Sequence, residues 1–247
     1  MRLILSILQP GENYVDAMIR VYNDEICEVI DNYNSSAYYE PSYVITRAYN
    51  SGGFKMKISK KSALLVIDIQ QEDFRGMTPE NADAPEWNCI RKAKRVLDIF
   101  RANNLPVIQI KEVHRTDMVD FGRELDGAES IHCIEDSPYT DYAELTYPIK
   151  GEYLISKRRY SAFFATDLEI LLKGLHVDTL YLIGGLTDVC IHYTVVDAHQ
   201  HDYYIKVVTD AVAGSSKEAH EYALKAIKYL QKDSLITVTD IESAEVE

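Results

Sequence analysis

The run Thr179–Gly185, Thr-Leu-Tyr-Leu-Ile-Gly-Gly, limits the folds open to this chain more than any other stretch. It is apolar throughout, too short for a helix and closed by two glycines, so it predicts a strand buried on both faces of a parallel sheet. The residues that follow, Thr187 to Ala198, predict a helix. Cys190 therefore falls in a first helical turn, directly after a strand. Unpaired backbone N–H groups and the positive end of the helix dipole favour a thiolate there, lowering a cysteine pKa from about 8.5 toward neutrality. The turn is an expected place for a nucleophile.

The same alternation runs from Ser62 onward. Ala63 to Ile69 and Val107 to Val113 read as buried strands, with a helix from Glu86 to Asn103 between them whose apolar residues recur at helical spacing. A short strand Gly151 to Ser156 precedes Lys157, and Thr166 to Gly174 predicts a helix ended by glycine. Ile205 to Thr209, a helix Ser216 to Gln231 and a last strand Leu235 to Thr239 complete the series. The fold class this predicts is α/β, a three-layer α/β/α doubly wound sheet of about six mainly parallel strands, with an appended N-terminal segment. Residues 1–60 form the expected extension or arm, with a helix at Tyr14 to Ile30 and a strand at Tyr43 to Thr46; residues 61–247 form the main domain. Residues 115–150 lack periodicity and are rich in acids, which suits a lid, interface or binding loop.

A formal net charge of -13 and a pI near 5.0 argue against nucleic-acid binding, which needs a clustered Lys/Arg face. The cysteines at 27, 89, 133 and 190 share no CxxC spacing, so no zinc ribbon or thioredoxin-type pair is present. Cys27, Cys89 and Cys133 are read as structural or incidental. The apolar stretch at residues 3–8 is cut by Pro10 and Gly11, too short for a signal or a membrane span. A soluble, cytoplasmic protein with no membrane partner is expected.

Ligands of open parallel sheets bind beyond the carboxyl ends of the strands, and Asp68, Lys157 and Cys190 each fall at or just after such an end. Together they make a workable acyl-transfer set. Lys157 as an ammonium favours the Cys190 thiolate, while Asp68 accepts the thiol proton and later delivers it to a leaving amine. Backbone N–H groups of Leu186 and Cys190 are the candidate oxyanion hole, each good donor supplying roughly 3 kcal/mol.

Four blocks in order, Ala63 to Gln70, Lys157 to Leu168, Gly185 to Ala198 and Val207 to Ser215, resemble the isochorismatase-like cysteine hydrolases over about residues 62–240. That family includes nicotinamidases and hydrolases of N-carbamoyl, ureidoacrylate and biuret compounds. The resemblance implies an Asp68-Lys157-Cys190 triad, a cis peptide joining Gly185 to Leu186, and homo-oligomers, dimer or tetramer. Isochorismatases proper lack a cysteine here, so Cys190 points to the amidohydrolase branch, and Glu112-Val-His-Arg with its downstream residues resembles the hydrolases of ureido and biuret-type compounds. Nicotinamidases place a metal around Asp-x-His after the second strand, where this chain has Glu112-Val-His114 and then only His132.

The expected activity is hydrolysis of a C–N bond in a small amide, ureido or carbamoyl substrate through a thioester acyl-enzyme, with release of ammonia, no required cofactor and no metal ligand. One alternative is a metal-containing nicotinamidase, with zinc or iron near Glu112 and His114; another is a non-catalytic α/β scaffold that binds a partner protein. Phe74, His114 and Tyr160 are the substrate-binding candidates. Arg115, Arg123 and Arg158 are read either as anchors for a substrate carbonyl or carboxylate or as partners of the loop acids. Thr187 and Asp188 are expected to cap the helix that carries Cys190.

Overall fold

The structure is a computed structural model that describes residues 56–74 and 85–247. The helix and strand expected within residues 1–55 lie outside the described residues.

Six strands form one sheet: β2 (Ser62–Ile67), β3 (Val107–Glu112), β4 (Tyr153–Lys157), β5 (Thr179–Gly185), β6 (Tyr204–Ala213) and β7 (Leu235–Ile236). Their order is β4-β3-β2-β5-β6-β7, and every neighbouring pair is parallel. β1 (Lys57–Ile58) and β8 (Glu245–Val246) pair separately, also in parallel, so the described unit already includes Lys57 and Ile58. The helices are α1 (Pro85–Ala102), α2 (Leu168–Gly174), α3 (His192–Gln200), α4 (Lys217–Leu230) and α5 (Val238–Glu242).

Alternation along the strands builds two cores. Leu65, Ile67, Leu180 and Leu182 face one side and pack with Leu168 of α2 and Val195 of α3. Leu64, Val66, Tyr181 and Ile183 face the other and pack against Ile90, Leu97 and Phe100 of α1 and Ile241 of α5. Continuous apolar runs such as Ser62–Ile67, buried at every position, are what a strand covered on both faces requires. Each buried Leu, Ile or Val side chain in such a run contributes about 1.5–3 kcal/mol on burial. The three-layer α/β/α arrangement predicted from the alternation is therefore the one found.

The last strand is shorter than expected. Pairing stops at Ile236, and Thr237 instead caps α5, accepting from the Asp240 backbone N–H while the Asp240 carboxylate accepts from the Thr237 backbone. A capping box outcompetes strand extension at the sheet edge, where Thr237-x-x-Asp240 finds no further partner strand.

At the carboxyl end of β5, Gly184 has φ +119°, and a Cβ there would lie 1.9 Å from the Ile67 carbonyl oxygen. Only glycine lets β5 close onto β2 at this level. Gly184→Ala is expected to destabilise the fold by roughly 3 kcal/mol or more, since it adds a backbone clash to a left-handed conformation. Urea unfolding against the parent chain measures this, and a loss under about 1 kcal/mol would show that the two strand ends separate easily.

Candidate active site

Three adjacent strands end at one level. Asp68 follows β2, Glu112 ends β3 and Lys157 ends β4, with Glu112 and Lys157 opposite each other in the β3–β4 register. Asp68 is held at φ +50°, a left-handed conformation uncommon for a residue with a side chain, and its N–H bonds the Ile110 carbonyl at 3.0 Å. β5 then turns through Gly184 and Gly185. The Gly185–Leu186 peptide is cis, and residues Thr187–Ile191 form a π-turn that carries Cys190 before α3 begins.

Lys157, fully buried, reaches back over β3 toward β2. Its Nζ lies 2.8 Å from Asp68 Oδ2, 2.6 Å from Glu112 Oε2 and 3.4 Å from Cys190 Sγ. One ligand atom each from Asp68, Glu112 and Cys190 falls within a 4.8 Å cluster. The three residues singled out at strand ends are thus brought together, joined by a carboxylate the sequence pattern did not assign to them.

Charge in this cluster is set by burial and by the mixture of signs. Burial alone would strip Lys157 of its proton, yet Asp68, the Cys190 sulfur and Glu112 hold its pKa well above 10.5, so it stays an ammonium. Burial raises Asp68 to about 6 despite Lys157. Burial opposes charge on Glu112, but His114, His132 and Lys157 outweigh it and keep that carboxyl far below its ordinary value. The Cys190 thiol is pushed well above 9.0, first by burial and then by Asp68, with Lys157 pulling the other way. This corrects the expectation of a helix-start thiolate: Cys190 sits in a π-turn among carboxylates, where burial and Asp68 outweigh the pull of Lys157. The resting sulfur is a thiol, with a carboxylate of raised basicity beside it.

A cleft of about 390 Å³ opens onto the sulfur, lined among others by Asp68, Glu112, His132, Tyr160, Leu186 and Cys190. That volume suits a small ligand. Tyr160 lines it and stacks on Tyr193 at 5.6 Å. The Phe74 backbone ends a 3-10 turn, Gln71–Phe74, at the same end of the sheet, and its side chain lies outside the described residues. His114 is not on the cleft wall. It is completely buried, stacked on Phe121 at 3.9 Å, with Nε2 3.0 Å from Glu112 Oε1 and 3.2 Å from Glu124 Oε2. Its neighbour His132, which was not among the substrate-binding candidates, supplies the imidazole of the cleft wall.

The arginines pair with loop acids: Arg115 with Glu135 at 3.2 Å, Arg123 with Asp126 at 2.7 Å and Arg158 with Asp120 at 3.2 Å. Thr187 and Asp188 do not cap the following helix. Thr187 Oγ1 meets His220 Nδ1 at 2.9 Å, and Asp188 accepts from the Ser215 N–H at 2.8 Å and from its hydroxyl, tying the nucleophile turn to the start of α4. Gln70 was another silent residue. Its buried amide donates to the Glu112 carbonyl at 3.0 Å and accepts from the Glu112 N–H at 2.9 Å, fixing the end of β3.

Beside the cleft, Glu112, His114, Glu124 and His132 could hold a metal ion. Their ligand atoms lie within 4.8 Å of one another, with contacts of 3.0, 3.2 and 3.4 Å along the set. Ligands at about 2.1 Å from a tetrahedral zinc are separated by about 3.4 Å, so the spacing fits, as do two imidazoles with two carboxylates. Glu124 is buried and neither oxygen has a well-formed hydrogen bond, a costly state that a cation would relieve. Glu124 comes from the aperiodic loop, which is why the sequence offered too few ligands.

With chelator present, the two histidines of this cluster report on it through pH. Burial disfavours charge on His114, but Glu112 and Glu124 raise it to about 9; Glu112 likewise raises His132 to about 9 against burial. A histidine raised in the folded state above its usual 6.5 contributes stability in full below pH 6.5 and loses it as pH climbs through 9. The denaturant midpoint of chelated protein is therefore expected to fall between pH 6.5 and 9, and a flat profile there would contradict the charged pairs.

Comparison with known proteins places this geometry. The isochorismatase domain family matches residues 62–243. Maleamate amidohydrolase of Pseudomonas putida is 40% identical over 176 residues, covering 68% of this chain and 80% of that protein. Among solved structures, an isochorismatase-like hydrolase from Alkaliphilus metalliredigens superposes with a TM-score of 0.64 at 28% identity, covering 73% of this chain and 97% of the other. A pyrazinamidase of Pyrococcus horikoshii, solved in complex with zinc, gives a TM-score of 0.59 at 25% identity over 76% of this chain and 98% of its own.

Proposed function

Since the chain belongs to the isochorismatase family of hydrolases, we propose that it is a cysteine-dependent amidohydrolase cleaving a C–N bond of a small amide, ureido or carbamoyl compound. The observation that carries this is the buried Lys157 ammonium, 2.8 Å from Asp68 and 3.4 Å from the Cys190 sulfur, the latter two lining one cleft. Relatives in the family include maleamate amidohydrolase and N-carbamoylsarcosine amidase, both amide hydrolases by name.

In the proposed reaction Asp68 takes the thiol proton as Cys190 Sγ bonds to the substrate carbonyl carbon. Lys157 stabilises the emerging negative sulfur, and the N–H groups of Leu186 and Cys190 face the oxygen that becomes an oxyanion. Collapse breaks the C–N bond, with Asp68 returning its proton to the nitrogen that leaves as ammonia. Water then attacks the thioester, giving its proton to Asp68 and releasing the carboxylic acid, and the sulfur recovers the proton. A carboxyl with a pKa near 6 suits both directions of this transfer close to neutral pH.

The Glu112, His114, Glu124 and His132 set favours a second reading, a metal-containing nicotinamidase. Those four residues would hold zinc or iron, which supplies Lewis acidity at the cleft wall beside Glu112 and His132.

An ammonia-release screen over nicotinamide, biuret, ureido acids, N-carbamoyl amino acids and maleamate, run beside Cys190→Ala, tests the proposal. The parent chain is expected to cleave at least one compound and the variant to lose about 10³-fold or more. Equal rates would remove Cys190 from the mechanism, and silence toward every compound would favour the non-catalytic scaffold. Metal analysis with activity before and after chelation separates the two enzyme readings. For the cleaved compound, kcat/KM is expected to fall as pH drops through about 6, where Asp68 becomes protonated and can no longer accept the thiol proton.

A further inference from the structure

Lys157 belongs to β4 but acts on residues of β2 and of the turn after β5, so its side chain must cross β3. Neighbouring strands lie about 4.8 Å apart, and an ammonium carried across one of them in an apolar interior needs a counter-charge on the strand it crosses. The residue at that crossing is Glu112, the register partner of Lys157. We propose that Glu112 is a fourth residue of the site, a positioning residue that fixes the Lys157 ammonium between Asp68 and Cys190 and anchors the loop after β3 to it.

The two oxygens of Glu112 divide this task. Oε2 accepts from Lys157 Nζ at 2.6 Å and stands 3.8 Å from the Cys190 sulfur. Oε1 faces His114 Nε2 at 3.0 Å and His132 Nε2 at 3.4 Å. His132 is on the cleft wall, so one carboxylate joins a residue that a bound ligand would touch to the lysine beside the nucleophile. The backbone of Glu112 is clamped as well, through both ends of the Gln70 amide. A merely structural carboxylate would not need its position fixed from three directions or its second oxygen turned toward the reacting sulfur.

The inference rests on the amidohydrolase reading for its kinetic arm, and a second arm does not need that reading. Glu112→Gln, Glu112→Asp and the parent chain are compared after chelation, so that loss of a metal cannot account for a difference, with each rate scaled to the folded fraction seen by circular dichroism. On the compound the parent cleaves, Glu112→Gln is expected to lose about tenfold or more in kcat with KM within about threefold, and Glu112→Asp to recover most of that loss. In the other arm, the rate at which iodoacetamide alkylates Cys190 at one fixed pH is expected to differ about fivefold or more between Glu112→Gln and the parent. A kcat change below tenfold, or a loss confined to KM, overturns the proposal. If the parent releases no ammonia from any compound, the amidohydrolase reading fails and alkylation alone decides, with a change below fivefold rejecting the role of Glu112.

Discussion

Everything at this end of the sheet depends on one buried cation. An ammonium with no exposure to solvent is tolerable only among carboxylates, and Lys157 has two of them within 2.8 Å. The arrangement fixes more than charge. Because the cation satisfies Asp68 and Glu112 together, three strand ends must stop at the same height, and the sulfur that follows β5 inherits a partner on each side. Removing Lys157 would leave two buried carboxylates without their shared cation, which is the costly case for buried ion pairs.

The same pairing sets how reactive the sulfur is at rest. Lys157 alone would favour a thiolate, but its field is divided between two carboxylates, and burial with Asp68 keeps Cys190 protonated. The site therefore holds a thiol and a base of near-neutral pKa, with the cation ready to stabilise the anion once the proton moves. In the proposed reaction, such an arrangement leaves the sulfur a thiol until Asp68 takes its proton.

How much of this could be read from residues alone follows from the period of each element. Short apolar runs marked β2, β3 and β5, the last closed by two glycines, and with them Asp68 and Cys190 at strand ends. Lys157 was visible because a short strand precedes it. Thr237-x-x-Asp240 carried a capping signal that competed with a strand reading at the same residues, and the cap prevails at the sheet edge. Glu112 was noticed as half of a metal motif and as part of a segment resembling ureido and biuret hydrolases; its tie to Lys157 depends on the β3–β4 register, a relation between segments 45 residues apart that no local pattern encodes. Glu124 and His132 come from a stretch with no periodicity, held by turns and stacked rings, so their convergence on His114 was invisible. The Cys190 environment was misjudged for a related reason: the helix start was legible, but the carboxylates that surround the sulfur arrive from other strands.

The contact of Gly184 with the Ile67 carbonyl carries one more implication. With no side chain between them, the end of β5 lies directly against the residue before Asp68, so a side chain at position 184 would push apart the two strand ends from which Asp68 and the Cys190 turn extend.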